Sequence, residues 1–157
     1  MPSEPKLTTR DAFTATGIEV RTDNAREMNP ATRQIAGLWQ RFFQEDIPGT
    51  IPGKKPAGVP LGIYTDYASD HTGLYTLIAS VAVTQAGSTP KGMRTVTIPA
   101  GKYLVFTATG PMPKALIETW GSIWTYFSDN SRYTRAYTTD FEEYQGSDKV
   151  EIYIAVK

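Results

Sequence analysis

Residues 140–157, DFEEYQGSDKVEIYIAVK, predict a β-hairpin that ends the chain. Two runs of aromatic and aliphatic residues flank a Gly-Ser-Asp segment whose composition is typical of a turn. Within the first run, Glu142 and Glu143 lie side by side between Phe141 and Tyr144. Because successive side chains of a strand point to opposite faces, one of these carboxylates faces inward. There it loses its hydration and needs a cation, a hydrogen-bond donor or a proton.

The elements that precede this hairpin occur twice in the chain. In the second half, residues 92–110 are an extended segment that bends at 99–101, and residues 111–130 are a helix. In the first half, the strand occupies residues 12–24. The helix opens at Asn29-Pro30 and spans residues 29–45, and the hairpin consists of residues 61–69 and 73–84. The periodicity of apolar residues therefore predicts two β-α-β-β modules, at about 12–84 and 92–157 of a single domain, 1–157.

Neither module is large enough to bury its own apolar face well, because each offers one helix and about three strands. We therefore predict an α+β fold in which the two modules pair around a pseudo-twofold axis. The sheet would be mostly antiparallel, with both main helices against it and a central cleft between the halves. The Pro- and Gly-rich stretches 46–60 and 86–92 are predicted to be a long loop and a linker.

The composition excludes several classes of function. Sixteen basic residues balance sixteen acidic ones, so no global field favours nucleic acid or an anionic membrane. The chain has no cysteine, and His71 is its one histidine, which argues against a metal site or a catalytic triad; we predict no metal and no cofactor. The start lacks the apolar core of a signal peptide, and no apolar run approaches the ~18 residues of a membrane span. We therefore expect a cytoplasmic protein.

Four segments in order, IPAGKYLVFTATG, ALIETWGSIWTYF, FEEY and VEIYIAVK, resemble the GyrI-like small-molecule-binding domain. This domain also forms the effector-binding half of AraC-type and MerR-type transcription regulators in bacteria. The resemblance extends from about Phe13 to the end of the chain. It implies two pseudo-symmetric repeats, a curved sheet and an aromatic pocket for lipophilic, often cationic, drug-like compounds. Only about a dozen residues precede Phe13, so we expect a stand-alone form without the usual DNA-binding helices.

The resemblance also implies which carboxylate faces the pocket. Strand alternation alone would put Phe141 in the core and Glu143 on the same face. The family motif F-E-x-Y instead implies that Glu142 and Tyr144 face the cleft, and we adopt that orientation. The other predicted ligand-binding walls are Trp39, Trp120, Trp124, Tyr64, Tyr67, Tyr75, Tyr103 and Phe106. The pseudo-symmetry suggests the pairs Trp39/Trp124 and Tyr67/Tyr144, although aromatic residues in such positions more often belong to a core.

Three functions fit these residues. The preferred hypothesis is a receptor for lipophilic, cationic small molecules, in which a desolvated Glu142 recovers its charge when a cation binds. The alternative is a small hydrolase of electrophilic compounds, with Glu142 as general base and Tyr144 or Tyr103 as proton donor. A third is a protein-interaction role, with a regulator or a topoisomerase such as gyrase as partner. The residues carry no signal for an oligomeric state.

Overall fold

The computed structural model describes residues 5–55, 58–84, 89–128 and 132–157. These residues form one curved, eight-stranded antiparallel sheet and three α-helices, which confirms the predicted α+β fold. The strands are β1 Lys6–Arg10, β2 Phe13–Thr22, β3 Pro60–Thr65, β4 Tyr75–Val83, β5 Arg94–Ile98, β6 Gly101–Thr109, β7 Asp140–Gly146 and β8 Lys149–Ala155. The helices are α1 Asn24–Met28, α2 Ile35–Gln44 and α3 Lys114–Ser128, with a short 3-10 turn at Ile47–Thr50.

The order of strands is symmetric about the centre of the sheet. It runs β1-β6-β8-β7-β3-β4-β2-β5, so β7 and β3 are the central pair. The two predicted hairpins, β3–β4 and β7–β8, are antiparallel pairs within their own halves. The first strand of each half pairs with a strand of the other half of the chain: β1 pairs with β6, and β5 pairs with β2.

This exchange corrects two sequence-based expectations. Residues 92–110 were expected to form one bent extended segment, but β5 and β6 are separate strands near opposite ends of the sheet. They separate at Pro99, which lies between the two strands and has no N–H to donate to a ladder. Strand β1 was not predicted, because its sequence, KLTTR, carries little apolar alternation.

Strand alternation divides the core between the two faces of the sheet. Leu38 and Phe42 of α2 pack against one end of the face that we call the helix side, and Ala115 and Ile123 of α3 pack against the other end. On the opposite face, a third cluster is built from side chains such as Ile63, Ile78, Tyr103, Phe141 and Tyr153. The helix side between α2 and α3 therefore lies above the central strands β3 and β7.

The first main helix begins later than predicted. Asn29 ends α1 and does not start α2, which begins at Ile35. The side chain of Glu27 accepts hydrogen bonds from the backbone N–H groups of Gln34 and Ile35, each at 3.0 Å. A carboxylate at the start of a helix satisfies free N–H groups and complements the helix dipole, so Glu27 fixes where α2 begins.

The second main helix begins later than the predicted range 111–130. It starts at Lys114, after Pro111 and Pro113, and is described up to Ser128. Residues 129–130 of the predicted helix, 86–88 of the predicted linker and 56–57 of the predicted loop lie outside the described residues. Within the described part of the chain, no helix combines the length and apolar character needed to cross a bilayer.

Candidate ligand-binding site

Glu142 lies in the middle of β7, on the helix side of the two central strands. Only 1% of its surface is exposed. Its neighbour Glu143 points to the opposite face, where its side chain is 20% exposed and lies 3.6 Å from the guanidinium of Arg10. One of the two adjacent carboxylates is therefore buried and the other is partly exposed, and Glu142 is the one that faces inward.

Three side chains donate hydrogen bonds to the Glu142 carboxylate. Tyr64 Oη and Trp120 Nε1 donate to Oε2 at 2.9 and 2.7 Å, and Tyr144 Oη donates to Oε1 at 2.8 Å. All three donors are neutral groups. Among the described residues, no lysine, arginine or histidine forms an ion pair with Glu142. The carboxylate is hydrogen-bonded, but its charge has no partner.

Gly62 leaves the room that this carboxylate occupies. It is directly opposite Glu142 in the β3–β7 ladder. A Cβ atom on Gly62 would lie 2.7 Å from Glu142 Oε1 and 3.3 Å from Trp39 Cζ2. Tyr64 follows Gly62 by two residues and Tyr144 follows Glu142 by two, so the two phenols approach the carboxylate from equivalent positions. The pseudo-symmetric pair is therefore Tyr64 with Tyr144, whereas the sequence suggested Tyr67 with Tyr144.

Burial controls the protonation of this group of side chains. Loss of hydration raises the pKa of Glu142 above its ordinary value, while the hydrogen bonds from Trp120, Tyr144 and Tyr64 oppose that rise. Burial first, and then the Glu142 charge, raise the pKa of Tyr64 well above the usual value for a phenol, and burial does the same for Tyr144. Both phenols therefore keep their protons at pH values where an ordinary phenol ionises.

Aromatic rings enclose the carboxylate. The ring of Trp39 lies 5.1 Å from that of Tyr144, and Tyr64 lies 5.1 Å from Trp120, measured between centroids. Trp39 also stacks on Phe43 at 6.0 Å, and Phe43 is 62% exposed. We call this group the Glu142 hollow; its members are Trp39, Gly62, Tyr64, Trp120, Glu142 and Tyr144.

The hollow is closed in this structure. Its carboxylate is almost inaccessible, and three aromatic side chains cover it through hydrogen bonds. Two cavities described in the structure, of about 620 and 350 Å³, are lined by other residues, near Arg10 and near Arg94 respectively. A ligand that reaches Glu142 must therefore displace at least one aromatic side chain.

A second buried carboxylate lies close to the hollow. Asp140 precedes Glu142 by two residues on the same face of β7 and is fully buried. It accepts hydrogen bonds from Arg135 Nη2 at 2.7 Å, from the Tyr67 hydroxyl and from the backbone N–H of Ala155 at 2.8 Å. Unlike Glu142, Asp140 has a cation beside it.

Six of the predicted aromatic wall residues lie in the Glu142 hollow or next to it. Tyr64, Trp120 and Tyr144 bond to Glu142, and Trp39 lies beside them. Tyr75 and Trp124 are one ring further out, at 5.4 Å from Tyr64 and 6.4 Å from Trp120.

Three of the predicted wall residues lie elsewhere. Tyr67 bonds to Asp140 and not to Glu142. Tyr103 lies on the opposite face of the sheet and donates to the Pro99 carbonyl oxygen at 2.6 Å, which corrects its predicted place in the cleft and as a proton donor. Phe106 packs 5.6 Å from Tyr126, in the cluster beneath α3. In each case the strand face or the loop path, which the pseudo-repeat does not specify, decides the position.

Sequence reasoning missed Gly62, Asp140 and Arg135. A glycine inside the strand sequence PLGIYT signals a close approach, and Asp140 shares the alternation that places Glu142. Arg135 carries no such signal, because the polar stretch around it, SDNSRYTR, has the composition of a solvated connection. Arg135 is nevertheless only 6% exposed.

A family model and a curated protein both match nearly the whole chain. Residues 6–156 match the Cass2 family model, described as integron-associated effector binding protein. The chain is 30% identical over 148 residues to YobU of Bacillus subtilis (strain 168), described as a candidate transcriptional regulator, with 90% of each protein covered.

Two solved structures are similar along nearly the whole chain. An integron cassette protein from the mobile metagenome of Vibrio cholerae is 37% identical, with a TM-score of 0.86 and coverage of 99% of this chain and 97% of that one. The structure of SAV2435 bound to tetraphenylphosphonium is 26% identical, with a TM-score of 0.80 and coverage of 99% and 94%.

Proposed function

Because the chain belongs to the Cass2 family of integron-associated effector binding proteins, we propose that it binds lipophilic organic cations in the Glu142 hollow. One observation carries the proposal. Glu142 is a buried carboxylate that three neutral donors hold in place and that no described cation neutralises. Such a group is costly to keep ionised, and a bound cation would remove that cost.

The aromatic walls favour the same class of ligand. Each ring face that meets a delocalised cation contributes roughly 0.5–2 kcal/mol of attraction, more when water is excluded. Rings also supply the apolar area that a greasy ligand buries. Carboxylate and rings together discriminate a lipophilic cation from a neutral compound of equal shape. The tetraphenylphosphonium ion bound by the similar protein SAV2435 has these properties, and this supports the proposal.

The ligand would reach the carboxylate past Trp39. The Trp39 side chain makes no hydrogen bond among the described residues, and its outer face is covered by the exposed ring of Phe43. Trp120 is held by its bond to Glu142. Rotation of Trp39 therefore breaks packing contacts but no hydrogen bond, whereas displacement of Trp120 also breaks its bond to Glu142.

A titration followed by tryptophan fluorescence tests the proposal. Tetraphenylphosphonium should quench the wild-type fluorescence saturably, because Trp120 and Trp39 line the hollow. We expect Glu142→Gln to weaken this binding at least tenfold, about 1.4 kcal/mol, since it removes the charge and keeps the shape.

Glu143→Gln is the matched control. It makes the same substitution one residue away, on the other face of β7, and should bind as the wild type does. Equal affinities for the wild type and Glu142→Gln would contradict the proposal, as would an equal loss in both variants.

A further inference from the structure

The Glu142 hollow has a charged pair built into its wall. Asp140 and Glu142 are two residues apart on one face of β7, so their Cα atoms are roughly 7 Å apart. Arg135 is only 6% exposed, and its guanidinium bonds to Asp140 at 2.7 Å. Their side chains are 5% and 0% exposed, so water does little to screen the pair.

Trp120 connects this pair to Glu142. Its indole N–H donates to the Glu142 carboxylate at 2.7 Å, and the guanidinium carbon of Arg135 lies 5.9 Å from its ring centroid. The same guanidinium lies 4.5 Å from the ring of Tyr137 and 5.5 Å from that of Tyr67. One indole ring therefore lies near both the Arg135 cation and the carboxylate that would receive the ligand.

The charge on Arg135 cannot be relieved by loss of its proton, because a guanidinium stays protonated in proteins. Without Asp140, that charge would act on Glu142 and would take the place of a bound cation. With Asp140 in contact, the charges of the pair cancel. The negative charge of Glu142 then remains uncompensated and can attract a ligand.

We propose that the Arg135–Asp140 pair determines the charge of the ligand: by cancelling within the wall, it leaves the hollow one negative charge and makes it selective for singly charged cations. This inference rests on the proposed function, because it specifies the ligand of the same site. A dication would bring one charge too many into a buried space, and an anion would meet Glu142 unscreened. Asp140 and Arg135 are thus specificity-determining residues that need not touch the ligand.

The experiment compares probes that share a ring system or a shape and differ in charge. Ethidium and propidium share one ring system and carry one and two positive charges; tetraphenylphosphonium and tetraphenylborate share one shape and carry opposite charges. We expect the wild type to bind ethidium at least tenfold more tightly than propidium, and the phosphonium at least tenfold more tightly than the borate, at constant ionic strength.

Two variants then change the charge of the wall. Asp140→Asn leaves Arg135 uncompensated, so we expect phosphonium affinity to fall at least tenfold and the preference over borate to disappear. Arg135→Gln combined with Asp140→Asn removes both charges, restores the wild-type total, and should return phosphonium affinity to within threefold of the wild type. Thermal melting of each variant checks that it is folded.

The outcomes separate the two proposals. If the wild type does not bind phosphonium, or Glu142→Gln binds it equally well, the proposed function fails and this inference fails with it. If the wild type binds through Glu142 but a folded Asp140→Asn binds equally well, or the double variant remains weak, only this inference is overturned. Should Asp140→Asn not fold, the wild-type preference for ethidium over propidium and the affinity of the double variant decide, and failure of either overturns it.

Discussion

Glu142 and Glu143 are chemically identical neighbours that the sheet places in different surroundings. One is buried among neutral donors, and the other is partly exposed beside Arg10. A single step along β7 makes this difference, because side chains of a strand alternate between faces. Gly62 completes the arrangement from the facing strand, since any larger residue would contact the carboxylate.

At the scale of this residue, we predict that cation affinity depends on pH. Burial raises the pKa of Glu142 above 4.5, so the empty protein keeps a proton on this group at pH values where a free glutamate has lost it. A bound cation favours the ionised form and releases that proton. Affinity should therefore increase as pH rises from 4.5 to the raised pKa and level off above it.

Calorimetry in buffers of different ionisation enthalpy measures this proton release directly. The release should be absent in Glu142→Gln. The same linkage acts on stability: a raised pKa contributes stability that is fully present below the unfolded value near 4.5 and is lost as pH rises through the folded pKa. A wild-type affinity that is constant from acid to neutral pH would contradict the role given to Glu142.

At the scale of elements, the position of α2 depends on a contact with the short helix before it. Glu27 of α1 accepts from the first N–H groups of α2 and also from the Thr22 hydroxyl at 2.7 Å. The helix that carries Trp39 is thus anchored at its start by one carboxylate. Asn29 and Pro30 had the composition of a helix start, but they end α1 and form the turn that follows it.

We predict that Glu27→Ala destabilises the protein by about 1 kcal/mol, because it leaves N–H groups at the start of α2 without their acceptor. In a domain of this size the melting temperature should fall by about 2–4 °C. Circular dichroism during heating measures the change. Glu45→Ala is the control, since Glu45 lies at the other end of α2 in an exposed pair with Arg41 and should change the melting temperature little. Equal shifts in both variants would argue against the capping role.

At the scale of the whole molecule, the sheet places the Glu142 hollow and the cluster that contains Phe141 and Tyr153 on opposite faces. Arg10, from the exchanged strand β1, lies 4.9 Å from the ring of Tyr153 and 5.4 Å from that of Phe141. It therefore joins the edge of the sheet to its centre.

We predict that Arg10→Ala lowers the free energy of unfolding by about 1–2 kcal/mol, through lost cation–π contact and lost cover over the rings. Phosphonium affinity should stay unchanged, because Arg10 lies on the face away from Glu142. Urea denaturation and the fluorescence titration measure the two quantities on one sample. Arg41→Ala, which removes an exposed arginine, serves as control. A loss of affinity in Arg10→Ala without a loss of stability would contradict this separation of the faces.

By itself, the sequence determined the elements whose information is local. Strand alternation and helical spacing are set by backbone geometry within a few residues, so they predicted both hairpins, both main helices and the α+β class. The residues also required one buried carboxylate at Glu142 or Glu143, and the resemblance to the GyrI-like domain implied which one.

Only the tertiary structure decided which distant residues meet. The exchange of β1 and β5, the place of Tyr103 behind the sheet and the pairing of Arg135 with Asp140 depend on register and on loop paths between segments far apart in the chain. A strand that slips by one residue turns every side chain to the other face. The local pattern is the same in both registers; the long-range packing that selects one of them also selects the donors around Glu142.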